Sequence, residues 1–255
     1  MRTLVMAAFL ASLASGQRAA DPVIDRVFSV TQLESPREYQ ETVNVLRTVL
    51  GAPRVTANEE QRTLTLQGSA DQIGLAEWLL SELDQPPIEG PADSAPHEYR
   101  LSGTSEIVRV FYLRTASPQT AQELINVIRA LANLNRIMPS NVRRAIVARG
   151  NADQIGLTEW LVANLDTLPP PQTRRPAVEH RTTGVPGETT RVYYLASAAK
   201  PQDIQTVINA IRKDAQLNRL MPFTSRAAVA LRGTEAQIAT ADRLIQELDM
   251  PAAAH

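Results

Sequence analysis

Hydrophobic and polar positions along the chain fall into one pattern that recurs three times. In the middle copy, Val108, Val110, Phe111, Tyr112 and Leu113 crowd β-branched and aromatic residues together, which predicts a strand over 108–113. Ser117 and Pro118 follow, an N-cap type and a proline suited to a first helical turn. Ala121, Leu124, Ile125, Ile128 and Leu131 then recur at helical spacing, one apolar stripe. A short strand is predicted at 136–138, stopped by Pro139, and another at 145–149. A second helix over 151–165 turns Ile155, Leu161, Val162 and Leu165 inward. The order is β-α-β-β-α.

Collinear anchors make the three copies a duplication. Val27, Val110 and Val192 open equivalent strands, and Gly68, Gly150 and Gly233 recur at the same spacing. Asp84, Asp166 and Asp249 close the copies, each preceded by leucine. The first two copies share an ADQIGL-x-EWL run from Ala70 and Ala152, and the last two share LNR-I/L-MP from Leu134 and Leu217. Ser69, Asn151 and Thr234 each stand three residues before Gln72, Gln154 and Gln237, the spacing of a capping box at the start of a helix. Ser35 with Glu38 makes another at the first helix.

Composition organises the remainder. Proline-rich segments separate the copies, so the expected organisation is modules at 22–86, 100–168 and 189–251, linkers at 87–99 and 169–188, and a tail at 252–255. Stiff, extended spacers of this kind predict beads on a semi-rigid string. Arg2, an apolar run over 3–14 and the small residues Ala14, Ser15 and Gly16 predict an export signal at 1–16, which places the mature chain in the periplasm or outside the cell. The apolar run is too short to span a membrane, which takes roughly 20 residues.

The chain has no cysteine and a net charge of −1, which removes disulfides, thiol chemistry and the positive footprint of a dedicated nucleic-acid binder. His97 and His180 fall in the expected linkers and His255 is the last residue, so no histidine is placed to serve a triad. No metal-ligand spacing or phosphate-binding glycine loop is present, and neither a cofactor nor a small-molecule substrate is expected. The expectation is a protein without catalytic function.

Two features are candidates for an interaction surface. Leu75 with Trp78, and again Leu157 with Trp160, lie one helical turn apart on the side of the second helix away from its core stripe. The third copy has Thr240 and Arg243 there. The tryptophan either folds over its own module's sheet edge or makes a contact between modules or chains. The other candidate is Asn44 with Arg47, Asn126 with Arg129 and Asn209 with Arg212, on the outward side of each first helix. They are inherited from the duplicated ancestor or share a docking role. Charge divides unevenly as well: 21–84 carries −6, 100–166 carries +3 and 191–249 carries +2. Opposite signs would favour head-to-tail contact between chains.

The stretches VRVFYLRTASPQTAQELINVIR from Val108 and RAIVARGNADQIGLTEWLVANLD from Arg144, with their counterparts in the other copies, resemble the short N-terminal domain of bacterial secretins, the NolW-like module. The resemblance covers most of the expected mature chain in three passes; the family's C-terminal β-barrel segment has no counterpart in it. What the resemblance implies is an α+β fold and a periplasmic ring-type or docking module without its channel. Partners would then be proteins, through self-association or within an envelope secretion or pilus complex. The strand and helix order is also similar to KH domains, which makes a nucleic-acid-binding protein the alternative. KH domains clamp the nucleic-acid backbone with a Gly-x-x-Gly loop between two helices, and no module carries one there.

Overall fold

The computed structural model describes residues 22–51, 54–86, 97–114, 117–167, 175–181, 187–196 and 201–249. The expected export signal and tail lie outside these residues, as do 87–96, 169–174 and 182–186 of the expected linkers. The fold is α+β, in three modules. Module 1 holds β1 (Ile24–Ser29), α1 (Pro36–Leu50), β2 (Arg54–Asn58), β3 (Thr63–Gly68) and α2 (Ala70–Leu83). Module 2 holds β4 (His97–Arg100), β5 (Ile107–Tyr112), α3 (Pro118–Ala132), β6 (Arg136–Ser140), β7 (Ala145–Gly150) and α4 (Ala152–Leu165). Module 3 holds β8 (Val178–Arg181), β9 (Glu188–Tyr194), α5 (Pro201–Asp214), β10 (Leu220–Phe223), β11 (Ala228–Thr234) and α6 (Glu235–Leu248).

The recurring anchors have local reasons. Gln72, Gln154 and Gln237 complete capping boxes with Ser69, Asn151 and Thr234. Each glutamine also donates to a carbonyl at the end of the first helix, Leu50, Ala132 or, one residue past α5, Ala215, and so ties the two helices of a module together. A Cβ on Gly68, Gly150 or Gly233 would stand 2.7–2.8 Å from that glutamine's Oε1, which is why glycine is kept there. Asp84 accepts the backbone N–H groups of Thr31 and Gln32, Asp166 that of Arg114 and Asp249 that of Ala196. The closing aspartate therefore pins the loop that enters the first helix.

All sheets are antiparallel, with orders β1-β3-β2, β4-β5-β7-β6 and β8-β9-β11-β10. Modules 2 and 3 thus carry a strand ahead of the expected β-α-β-β-α unit. Part of each expected linker is this strand: β4 pairs with β5 and β8 with β9. Neither strand is predicted from the sequence, because four residues such as HEYR or VEHR carry no apolar alternation.

The modules are packed, not strung. One hydrophobic cluster joins the α1 and α2 residues of module 1 to Val108, Val110, Ala145 and Val147 on the sheet of module 2. The next joins α3 and α4 to Val192, Phe223, Ala228 and Ala230 of module 3. The layers therefore alternate sheet, helices, sheet, helices, sheet, helices, and the inner sheets are covered on both faces. That double burial explains why β3 alternates between half-buried and buried residues whereas β11 is buried at six successive positions.

Candidate interaction surfaces

Each junction uses the same side chains. In α1, Glu41 accepts from the Asn141 backbone N–H at 2.5 Å and its side-chain amide at 2.7 Å, in the β6–β7 turn of module 2. In α3, Glu123 does the same for module 3, accepting from the Thr224 hydroxyl at 2.5 Å and the Ser225 N–H at 3.0 Å. In the reverse direction, Arg149 of β7 donates to the Val49 carbonyl at 2.8 Å, and Arg232 of β11 donates to Leu131 at 2.9 Å. These two guanidiniums are 11% and 7% exposed and are neutralised by Glu106 and Glu188. A buried charge needs such partners to be tolerated at all.

An aromatic contact lies beside each clamp. Trp78 of α2 packs on Tyr99 of β4 with ring centroids 5.4 Å apart, and Trp160 of α4 packs on His180 of β8 at 5.3 Å. Tyr99 faces Val108 and His180 faces Thr190, equivalent register positions. His97 also belongs to module 2, with Nδ1 2.6 Å from Glu82, which accepts the Tyr112 hydroxyl at 2.8 Å. Burial and that carboxylate push the Tyr112 phenol up to about 12, so it acts as a neutral donor. His97 and His180 are therefore module residues, a correction to their placement in linkers. His255 lies outside the described residues.

Leu75 and Leu157 belong to the clusters that join one module to the next. Both are 1% exposed, because the helices of modules 1 and 2 are sandwiched and need a second apolar face. The wheel shows which side of a helix leaves its own core but not what covers it. Arg47, Arg129 and Arg212 bend back to the carbonyls of Val55, Ile137 and Leu220 and fasten the outermost strand of each sheet. Asn44, Asn126 and Asn209 accept from Gln40, Gln122 and Gln205 one turn earlier, which makes three equivalent Gln–Asn pairs.

At each end of the stack the clamp residues change. The counterparts of Arg149 and Glu41 there are Gln67 in module 1 and Thr206 in module 3. Val45 and Val127, both 0% exposed, correspond to Ala210, and the buried Val49 and Leu131 correspond to Asp214. Val110 and Val192 are fully buried, but Val27 is 60% exposed. Thr240 and Arg243 replace the Leu–Trp pair for the same reason. Terminal repeats with polar outer faces are how a stacked array remains soluble.

A cleft of about 370 Å³ on module 3 is lined by Arg175, Tyr193, Tyr194 and Asp242. There the Tyr193 hydroxyl is bonded to Asp242 at 2.8 Å and held protonated by burial and that carboxylate. Among the described residues no cluster of three His, Asp or Glu side chains is placed to hold a metal. The Gly-x-x-Gly at 184–187 lies between β8 and β9, not in a loop joining two helices. No helix among the described residues is long and apolar enough to cross a membrane.

No family model matches the chain, and no curated protein matches it. Among solved structures, the chain is similar to the N-terminal domains of secretins. The N-terminal domain of the secretin XcpQ from Pseudomonas aeruginosa matches at 15% identity, over 83% of this chain and 76% of that one, with a TM-score of 0.30. Aeromonas hydrophila ExeD matches at 15% identity over 91% of this chain, with a TM-score of 0.22. The ETEC pilotin–secretin AspS–GspD complex matches at 13% identity, also over 91%, with a TM-score of 0.22. The chain spans 38% of the ETEC chain and 42% of the ExeD chain.

Proposed function

We propose that the chain is an exported, non-catalytic assembly protein that works by protein–protein contact in the cell envelope, within a secretion or pilus system. The observation that carries the reading is the repeated junction. Side chains that would have to converge on a cavity in an enzyme are spent on fixing one module to the next, through Glu41 with Asn141 and Arg149 with Val49, and their equivalents. The product is a stack of three modules that presents the same Gln–Asn pair from each level. The export signal read at 1–16 and the resemblance of the repeats to secretin N domains support the envelope setting. We assign Asn44, Asn126 and Asn209 to docking, and Leu75, Trp78, Leu157 and Trp160 to contacts between modules.

The test is site-specific photo-crosslinking in the native cell, with the crosslinker at Asn44, Asn126 or Asn209. The expected result is one discrete envelope-protein adduct shared by the three positions. A chain found only in the cytosol, or adducts only to nucleic acid, overturns the reading.

A further inference from the structure

The edge of the first sheet differs from its counterparts. In modules 2 and 3 the first β-strand of the repeated unit is covered by a short strand, β4 on β5 and β8 on β9. Among the described residues, the equivalent β1 pairs only with β3. Of the other outer strands, β4, β6, β8 and β10 are protected in ways proteins commonly use on exposed edges. β6 and β10 contain Pro139 and Pro222, and β4 and β8 are four residues long and charged. β1 runs six residues without proline, with Ile24 38% and Val27 60% exposed and Val23, just before it, 69% exposed.

The two covered copies show what such an edge accepts. Glu98 of β4 stands opposite Arg109 and ion-pairs with it; Glu179 of β8 stands opposite Arg191 and does likewise. The third residue of this series is Arg26 on β1, which is exposed and has no ion pair among the described residues. The chain's own hairpin geometry cannot supply the missing carboxylate. The glutamates precede their arginines by 11 and 12 residues, and the residues at those distances before Arg26 are Ser15 and Ala14.

The backbone is also available. Val30 N–H donates to Arg62 at 2.9 Å, so in an antiparallel ladder Phe28 and Arg26 turn their backbone groups toward β3. Asp25 and Val27 therefore turn theirs to the open side. Leu101 N–H donates to Glu106, which by the same alternation puts Val108 and Val110, the equivalents of Asp25 and Val27, in bonded pairs with β4.

We infer that β1 is a docking edge that receives an extended strand of a partner protein, antiparallel, with a carboxylate opposite Arg26. This deepens the assembly reading proposed above by naming the surface and the chemistry of its partner. Main-chain bonds at Asp25 and Val27 give the affinity and the Arg26–carboxylate pair gives the register, as in other strand additions.

The test uses the full chain, the chain beginning at Gln17, and a synthetic peptide AVEHRT that copies residues 177–182. Amide shifts in NMR titration are the readout. Saturable shifts at Asp25 and Val27 are expected, weakened at least fivefold when the peptide glutamate becomes lysine. Arg26→Glu, an exposed substitution, reverses the preference between the two peptides. Val27→Pro removes the open-side donor and abolishes binding without breaking a β1–β3 bond. Three outcomes overturn the inference: no shifts at 24–29 with millimolar peptide, shifts indifferent to the charge swap, or a concentration-dependent dimer of the chain occupying the edge instead. None depends on envelope location, so this failure is separable from failure of the assembly reading.

Discussion

Arg149, in the middle sheet, donates a 2.8 Å hydrogen bond to the carbonyl of Val49, in the last turn of a helix one hundred residues earlier. Helix C-termini end in carbonyls without intrahelical partners and carry partial negative charge, so a buried guanidinium there satisfies both demands. Arg232 repeats the bond to Leu131 at the next level. The two arginines, with Glu41 and Glu123, fasten each module to the next.

Removing either arginine therefore strips a charge-assisted bond and leaves a glutamate with a lost partner. Arg149→Met and Arg232→Met are each expected to destabilise the chain by about 2 kcal/mol. Gln67→Met, at the equivalent position on the exposed face, is expected to change stability by less than about 0.5 kcal/mol. Chemical denaturation of the three variants measures the contrast.

The helices of modules 1 and 2 have a second apolar face, and α5 lacks it. Val127→Asp places an unpaired carboxylate between α3 and the third sheet, which costs about 3 kcal/mol or more. Ala210→Asp, its equivalent in α5, is expected to be nearly neutral because that face is polar already. With the 2–3 junction broken, calorimetry is expected to resolve two unfolding transitions where the parent chain shows one.

Acid is expected to destabilise the chain in two stages, first at the 2–3 junction and then along the β4–β5 and β8–β9 strand pairs. His180 sits below its ordinary 6.5 because burial against Trp160, and then Arg232, disfavour its charged form. A group with a lowered pKa binds fewer protons folded than unfolded, so its contribution is complete above 6.5 and is lost as pH falls through the folded value. Hydrogen bonds from Arg109 hold Glu98 below its ordinary 4.5, and those from Arg191 and Arg181 hold Glu179 below it. Their contribution is complete above 4.5 and is lost on further acidification. Stability measured from pH 8 to pH 3 is expected to fall twice, and His180→Phe is expected to remove the first fall only.

The chain has two tryptophans, one per junction. Trp160→Phe leaves Trp78 to report the 1–2 junction, and Trp78→Phe leaves Trp160 to report 2–3. Acidification through the His180 transition is expected to quench Trp160 emission and leave Trp78 unchanged. Trp78→Ala, which deletes a half-buried ring packed on Tyr99, is expected to cost about 2 kcal/mol.

The sequence by itself determined what is local and repeated. The anchors, the capping boxes at Ser69, Asn151 and Thr234, and the first-helix stripes follow from neighbours within a few residues, where backbone and side-chain chemistry are decided by spacing alone. It also displayed the differences between copies, Thr240 and Arg243 for Leu and Trp, without giving their cause. Tertiary structure supplied that cause. Whether the outer side of a helix meets water or another sheet depends on partners about a hundred residues away, so contact with the next module is one alternative for Leu75 and Trp78 that spacing alone does not decide. The strands at 97–100 and 178–181 were hidden for a related reason. Their glutamates and arginines become legible only when Arg109 and Arg191 stand opposite them, and that pairing is a property of the sheet.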